Sequence, residues 1–339
     1  MQLQNQGQLL DLEERMVHPQ SPLRAAILAH LWPSMPATAT FFFDSDDEAE
    51  HLAGMVQTRA RPGRPEQDVV FLAPALSEGN GSHATWQRLL AHACVKAGEM
   101  GHHRVYARAM KGGDAVQIFK HVGFLVYAEE EIYALALEDF PNNGQDRLGL
   151  RKQTTADSWS LQRLYAVVTP RGVQVAEGLA QGQWQLKGRF PGSRGGQSGY
   201  VWEREGEILA VLHIRFGRAG YGLRMLIHPD VSDQTGALIE AGLCLIRASG
   251  RPKAIYSSIR TYQSEIGNYL LDYGLKPVAT QVVMVKHITV RARDFLSRLV
   301  AFETPVEAKA ATPTPFLNAE RPQPANGGLV TKKTVKNSI

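Results

Sequence analysis

The sequence predicts two successive α/β domains built on one repeated pattern, followed by a tail without a core. Three observations carry this. The chain has 339 residues, more than one ordinary core of roughly 150 residues organises. Gly101 and Gly250 lie 149 apart and Gly123 and Gly274 lie 151 apart, each pair embedded in the same succession of helix, glycine, strand, helix, glycine, apolar residue and strand, the signature of an internal duplication. From about Phe302 onward the chain carries five prolines and almost no apolar periodicity, too little apolar surface to offset the entropy of ordering, so this stretch is expected to be disordered. The expected organisation is a first domain over 1–140, a linker at 141–149, a second domain over 150–300 and the tail 301–339.

The elements follow in order. Residues 1–23 carry little pattern. A short helix is predicted over Leu23–Leu31, stopped by Pro33 and Pro36. Ala39–Phe43 reads as a strand, Asp44–Asp47 as a turn, and Glu48–Thr58 as the second arm of a hairpin. Asp68–Pro74 is a short apolar run of the kind a buried strand makes. Trp86, Leu89, Leu90, Ala93 and Ala97 fall on one helical face, and Gly101 closes that helix. Arg104–Ala109 is strand-like. Asp114 is placed to cap a helix that turns Ala115, Ile118, Phe119 and Val122 inward and ends at Gly123. Phe124–Tyr127 and Ile132–Leu137 read as two strands.

Pro141–Gly149 is turn-rich, and the order then recurs. Thr155 or Asp157 caps a helix carrying Trp159, Leu161, Leu164 and Tyr165. Tyr200–Trp202 and Ile208–Arg215 form a hairpin about Glu205-Gly206-Glu207. Gly222–His228 is a buried strand. Ala237, Leu238, Ala241, Cys244 and Leu245 form a helix face, Ala254–Ile259 a strand, Ser264–Tyr273 a helix, and Thr280–Lys286 the last strand.

Composition narrows the function classes. The 37 Lys+Arg against 33 Asp+Glu leave +4, without the clustered basic stripe of a nucleic-acid binder; the densest run, Lys332, Lys333 and Lys336, lies in the tail. Cys94 and Cys244 sit in apolar helical patterns with no metal-ligand spacing and read as buried thiols in a reducing compartment. His102-His103 is an adjacent pair, whose side chains on a strand would point to opposite faces rather than share an ion. His121 beside Lys120 suits the end of a helix, and Trp184 and Trp202 suit packing. The amino-terminal residues are polar and acidic, with no export signal, and no apolar stretch is long enough to span a bilayer. A cytoplasmic protein without metal, nucleic-acid or membrane partners is expected.

Thr85–Leu135, with its Ala/Leu-rich helix ending in Gly, its strand and its helix closed by Gly-Phe, resembles the carboxy-terminal half of the GNAT superfamily of N-acetyltransferases. The stretch RKQTTADSWSLQRLY, followed by MLIHP and IYSSIRTYQSEIGNYLLDYGLKP, is similar to the same family. The resemblance covers roughly residues 24–290. It implies two tandem GNAT-like domains, each a mixed, strongly twisted sheet with helices on both faces, an α/β fold in which acyl-CoA wedges between a splayed fourth and fifth strand. Unpaired backbone groups there meet the pantetheine amides, and the next helix turns its first N–H groups to the diphosphate. For the first domain this assigns the cofactor loop to Gly79, Asn80, Gly81 and Ser82. In the second, His228–Gly236 lacks a Gly-x-Gly and carries Asp230 and Asp233. Where the family often has an acidic tyrosine, this chain has Phe119 and Leu270, and the candidate substitute is Tyr269. The implied function is transfer of an acyl group, typically acetyl from acetyl-CoA, to a small-molecule or peptide amine. The alternative is a non-catalytic acyl-CoA-binding or scaffold protein that retains the fold.

Overall fold

Strand pairing explains how the two repeats share one sheet. The computed structural model describes residues 7–19, 38–43, 53–76, 81–136, 148–178, 184–186, 196–249 and 253–288. In the first half these comprise β1 (Gln8–Leu9), α1 (Leu12–Val17), β2 (Thr38–Phe43), β3 (Gly54–Ala60), β4 (Glu66–Ala73), α2 (Gly81–Glu99), β5 (Arg104–Met110), α3 (Asp114–His121) and β6 (Leu125–Leu135). The second half supplies β7 (Arg151–Lys152), α4 (Ser158–Val168), α5 (Arg171–Ala176), β8 (Gln197–Arg204), β9 (Glu207–Phe216) and β10 (Gly220–Ile227). It continues with α6 (Thr235–Ala248), β11 (Ala254–Arg260), α7 (Ser264–Asp272) and β12 (Lys276–His287).

In each half two antiparallel pairings lead to a parallel one: β2–β3–β4 then β4–β5, and β8–β9–β10 then β10–β11. The last strands are exchanged. β12 lies between β5 and β6, and β6 lies between β12 and β11, giving the order β2-β3-β4-β5-β12-β6-β11-β10-β9-β8-β7. The duplication is visible in the register. Gln281 pairs with Glu130 across the β6–β12 ladder, and these two positions are 151 apart, the offset of Gly123 and Gly274. A pseudo-twofold axis therefore passes between them. Val283 on β12 pairs with Arg108 on β5, and the related Ile132 on β6 pairs with Ser258 on β11.

Alternation along the strands then sorts side chains to two faces. On one, α2 and α3 bury Trp86, Leu90, Ile118 and Phe119 against Val105, Ala107 and Met284, and α6 and α7 bury Leu238, Ile239, Leu243 and Leu270 against Leu212, Leu223 and Ile255. On the other, α4 packs Leu161, Leu164 and Tyr165 on Val201, Val211 and Leu226. The β8–β9 hairpin turns on Glu205 and Gly206, both with positive φ, 54° and 80°, the twist a two-residue hairpin needs. Gly123 and Gly274 close α3 and α7 at φ 94° and 83°, a conformation that favours glycine.

Several expectations change. Phe124–Tyr127 and Ile132–Leu137 are one continuous strand, β6, because the intervening polar run includes Glu130, which is buried at the pseudo-twofold axis rather than placed in a turn. Asp114 opens α3 but makes no capping bond; Gly113 is the cap. A capping box between Thr154 and Asp157 starts a 3-10 turn that leads into α4. Residues 1–23, patternless in sequence, contribute both β1 and α1. The predicted helix Leu23–Leu31, the glycine Gly250, most of the 141–149 linker and the whole 301–339 tail lie outside the described residues.

Candidate active site

Each parallel strand pair opens into a cleft. β4 and β5 pair only at Glu66↔Arg104, Gln67↔Val105 and Asp68↔Tyr106, although β4 runs on to Ala73. β10 and β11 pair from Gly220↔Ala254 to Leu223↔Ser257, although β10 runs on to Ile227 and β11 to Arg260. Beyond these pairs the fifth strand of each half is bonded only on its far edge, β5 to β12 and β11 to β6. The fourth strand is left with one row of N–H and C=O groups that its neighbour does not take up.

The first cleft is filled by the chain itself. β1 pairs with β4 at Gln8↔Leu72 and Leu9↔Phe71, and the Leu10 N–H donates to the Val70 carbonyl at 3.2 Å. Because β3 occupies the opposite edge of the same β4 residues, β1 must lie on the edge that β5 has left. Leu10 joins the core beside Val56, Val69 and Leu72. The chain then crosses the sheet face. The Leu12 N–H donates to Gln281 Oε1 at 3.1 Å, and α1 lies over β5, β10 and β11.

α1 is held by charge. Asp11 caps it by accepting from the Glu14 N–H at 3.1 Å and faces Arg108 at 3.4 Å. Glu13, 2% exposed, faces Arg224 at 3.4 Å and Arg215 at 3.9 Å, and Glu14 pairs with Arg215 at 3.0 Å and Arg59 at 3.3 Å. The network continues to the pseudo-twofold axis. Glu130, 1% exposed, accepts at Oε2 from Arg108 Nε at 3.0 Å and Gln281 Nε2 at 2.8 Å, and faces Arg260 Nε at 2.8 Å and Arg224 at 3.6 Å. Burial opposes its ionisation, but the three guanidinium groups outweigh burial and hold the carboxyl well below the usual range. Arg260 also donates to Glu177 at 3.0 Å, and Glu177 accepts from Tyr165 at 2.6 Å and Tyr127 at 3.2 Å. Burial and the neighbouring Glu177 carboxylate both push these two phenols well above their ordinary range, so they act as donors.

The second cleft keeps its edge. Among the described residues no strand pairs with Arg224–Ile227 on the side that faces β11. Two buried hydroxyls without hydrogen-bond partners flank its apex, Ser257 (0% exposed) and Ser258 (9% exposed). Arg260 Nη1 and Gln263 Nε2 are also buried without partners on the same strand and the turn that follows it. At the wide end, Pro229–Gln234 forms a 3-10 turn into α6, with Asp230 exposed. Tyr269 of α7 and Tyr273, which caps it, pack beside Gly236 in the first turn of α6: a Cβ there would lie 3.4 Å from the Tyr273 hydroxyl and 3.7 Å from the Tyr269 ring. Tyr269 is thus next to the helix start. Leu270 and Phe119 are both 0% exposed, Phe119 packed edge-on against Phe124 at 4.9 Å.

Of the predicted cofactor loop, Gly79 and Asn80 lie outside the described residues, while Gly81 and Ser82 open α2. The patterns that sequence reasoning missed are α1 and the arginine network, whose members are scattered along the chain from Asp11 to Gln281. Among the described residues no group of three or more His, Cys, Asp or Glu side chains is arranged to hold a metal ion, and no helix is long and apolar enough to cross a membrane.

No protein-family model matches the chain, and no curated protein does. Solved structures to which it is similar include GNAT proteins. One is a tandem GNAT protein from the clavulanic acid biosynthesis pathway, solved without acetyl-CoA: 12% identity, TM-score 0.47, covering 83% of this chain and 93% of that one. Another is a GCN5-related N-acetyltransferase from Sphaerobacter thermophilus, at 12% identity, TM-score 0.47 and coverage of 78% and 85%. A third, from Kribbella flavida, has 12% identity, TM-score 0.44 and coverage of 68% and 86%.

Proposed function

We propose that this chain is a GNAT-type N-acyltransferase that takes one acyl-CoA, typically acetyl-CoA, in the cleft between β10 and β11 and passes its acyl group to an amine. The observation that carries the proposal is the contrast between the clefts. In the first, an extended stretch of the chain's own backbone pairs with the free edge of β4, which supports the reading that such an edge takes an amide-bearing, strand-like partner. The matching edge of β10, Arg224–Ile227, has no such occupant among the described residues. Its four residues extend roughly 13 Å, from the apex toward the turn that leads into α6. A pantetheine arm laid along it would have its diphosphate at the α6 N-terminus, where free N–H groups and the helix dipole favour an anion. The thioester would lie at the apex, beside Ser257 and Ser258. The amine would come from the face that carries Ser258 and Arg260.

A second reading has its own support. Asp230 and Asp233 sit just ahead of α6, where they oppose a diphosphate, and Leu270 leaves α7 without a proton donor at the family's position. Both features favour a fold kept for binding or scaffolding without turnover. Calorimetric titration with acetyl-CoA separates the readings. We expect one site per chain, and Gly236→Glu to weaken it at least about tenfold by adding a carboxylate at the diphosphate end. Absence of heat on titration assigns the chain to the scaffold reading. Binding without release of free thiol over a panel of amines assigns it to the binding reading.

A further inference from the structure

The reaction leaves a sulfur anion at the apex of the cleft, and α7 offers no group to meet it. Leu270 is wholly buried hydrocarbon, and Tyr269 and Tyr273 pack at the start of α6. A further phenol on this side, Tyr133, is the cross-strand partner of Ser257, but its hydroxyl already donates to Glu131 at 2.7 Å. Ser257 differs from all of these. It is the last β11 residue paired with β10. Alternation puts it on the face of Ile255 and Ile259, the side of α6 and α7. It is 0% exposed, and its Oγ has no partner. A buried hydroxyl in that condition is destabilising, and the first half does not share it: the register places Ala107 and Arg108 where the second half has Ser257 and Ser258.

Resting on the acyl-CoA reading above, we propose that the Ser257 hydroxyl is the hydrogen-bond donor to the departing CoA sulfur, in place of the missing tyrosine. In the step, the amine nitrogen forms a bond to the thioester carbonyl carbon, the C–S bond breaks, and its electron pair stays on sulfur. The amine proton is lost to solvent and solvent later protonates the thiolate. Ser257 keeps its own proton and stabilises the sulfur anion through O–H···S⁻. Ser258 projects from the opposite face, toward Arg260 and the amine, and does not take part in this contact.

The test uses CoA itself, so it needs no acceptor. The thiol of CoA bound to the full chain is titrated by the ultraviolet absorbance of its thiolate, with binding followed separately by calorimetry. Free thiols ionise near about 8.5. Ser257 should lower the bound value by about one unit, the size of one hydrogen bond to a charged group. Ser257→Ala should remove that lowering while leaving CoA affinity within about threefold, a factor worth less than one hydrogen bond to a charged group, and Ser257→Thr should restore it. Ser258→Ala should leave the titration unchanged. Because Ser257→Ala deletes an unpartnered buried hydroxyl, the ligand-free variant should melt at or above the parent temperature, so a folding failure is not expected to obscure the result. An unchanged thiol titration in Ser257→Ala overturns the proposal, as does an equal shift in Ser258→Ala. Failure of the parent chain to bind CoA at all overturns the acyl-CoA reading instead, and the two failures are told apart by calorimetry alone.

Discussion

Glu130→Gln is the sharpest probe of how the two repeats are joined. The side chain is 1% exposed and stands on the pseudo-twofold axis, opposite its own repeat partner Gln281. Three arginines from three strands converge on it: Arg260 at 2.8 Å, Arg108 at 3.0 Å and Arg224 at 3.6 Å. The substitution keeps size and shape but replaces a charged acceptor oxygen with an N–H donor facing guanidinium groups. Each arginine retains one other carboxylate, Glu177, Asp11 or Glu13, so none becomes wholly unpaired. Removing one partner of a buried ion cluster costs about 3–5 kcal/mol. At roughly 2–4 °C per kcal/mol for a unit of this size, the melting temperature should fall by about 6–20 °C. Thermal unfolding followed by circular dichroism measures it. The twofold relation adds a stricter arm. Gln281 touches Glu130 directly, its Nε2 donating to Oε2 at 2.8 Å, so Glu130→Gln combined with Gln281→Glu moves the carboxylate to the related position and should recover about half of the loss. A single substitution that shifts the melting temperature by less than about 2 °C would refute the reasoning, since no buried cluster is that indifferent to losing its central anion.

Two further outcomes are expected. His213 is 4% exposed between Gln197, at 2.7 Å from Nδ1, and Gln153, at 2.7 Å from Nε2, and burial, aided by Arg224 and Arg215, lowers its pKa to about 3. The unfolded imidazole takes a proton near about 6.5, so the unfolded state binds more protons as the pH falls from there toward about 3. Stability should drop by up to about 1.4 kcal/mol per pH unit over that window, and the acid limb of the melting profile should be shallower in His213→Gln. Leu10→Ala should cost roughly 2–5 kcal/mol in urea unfolding, because Leu10 is 2% exposed in the first-half core; a loss under about 0.5 kcal/mol would mean that β1 is only loosely seated.

The parts of this fold that were legible in sequence are those whose signal is local. α2 shows a long apolar face through Trp86, Leu90 and Ala97, the β8–β9 turn has Glu205-Gly206, and Gly123 and Gly274 mark equivalent helix ends. What stayed hidden depends on distant partners. α1 spans only Leu12–Val17 and β1 only Gln8–Leu9, too short for a period to emerge; α1 is held by Arg108, Arg215 and Arg224 and β1 by β4, all from far along the chain. Glu129-Glu130-Glu131 reads as a break between strands until the arginines that neutralise Glu130 are brought beside it. Strand exchange is invisible for the same reason: the alternation in β12 is the same whichever neighbour it pairs with. The clefts combine both cases. Their position follows from the repeat, but which one is filled does not.

That difference between the clefts leads to the last prediction, which concerns a chain lacking Met1–Leu10. The cut removes β1 and Leu10 and leaves Asp11 onward, so the contacts of α1 with Arg108, Arg215, Arg224 and Arg59 remain. It frees the edge of β4 at Val70–Leu72, the part of the first cleft that the chain's own backbone now occupies. That half also has the sequence Gly79, Asn80, Gly81 and Ser82 ahead of α2, a helix of 19 residues with no acidic residue in its first turn. If β1 is what keeps acyl-CoA out, the truncated chain should bind two acetyl-CoA molecules where the full chain binds one, at some cost in melting temperature from the loss of Leu10. Gly81→Val in the truncated chain should then abolish the added site and spare the original, because a β-branched side chain crowds the backbone N–H groups that would converge on the diphosphate. Calorimetric stoichiometry reads both steps. A truncated chain that stays folded and still binds a single acetyl-CoA, insensitive to Gly81→Val, would show that the first half lost its site by its own sequence and that β1 only covers an edge that would otherwise be left bare.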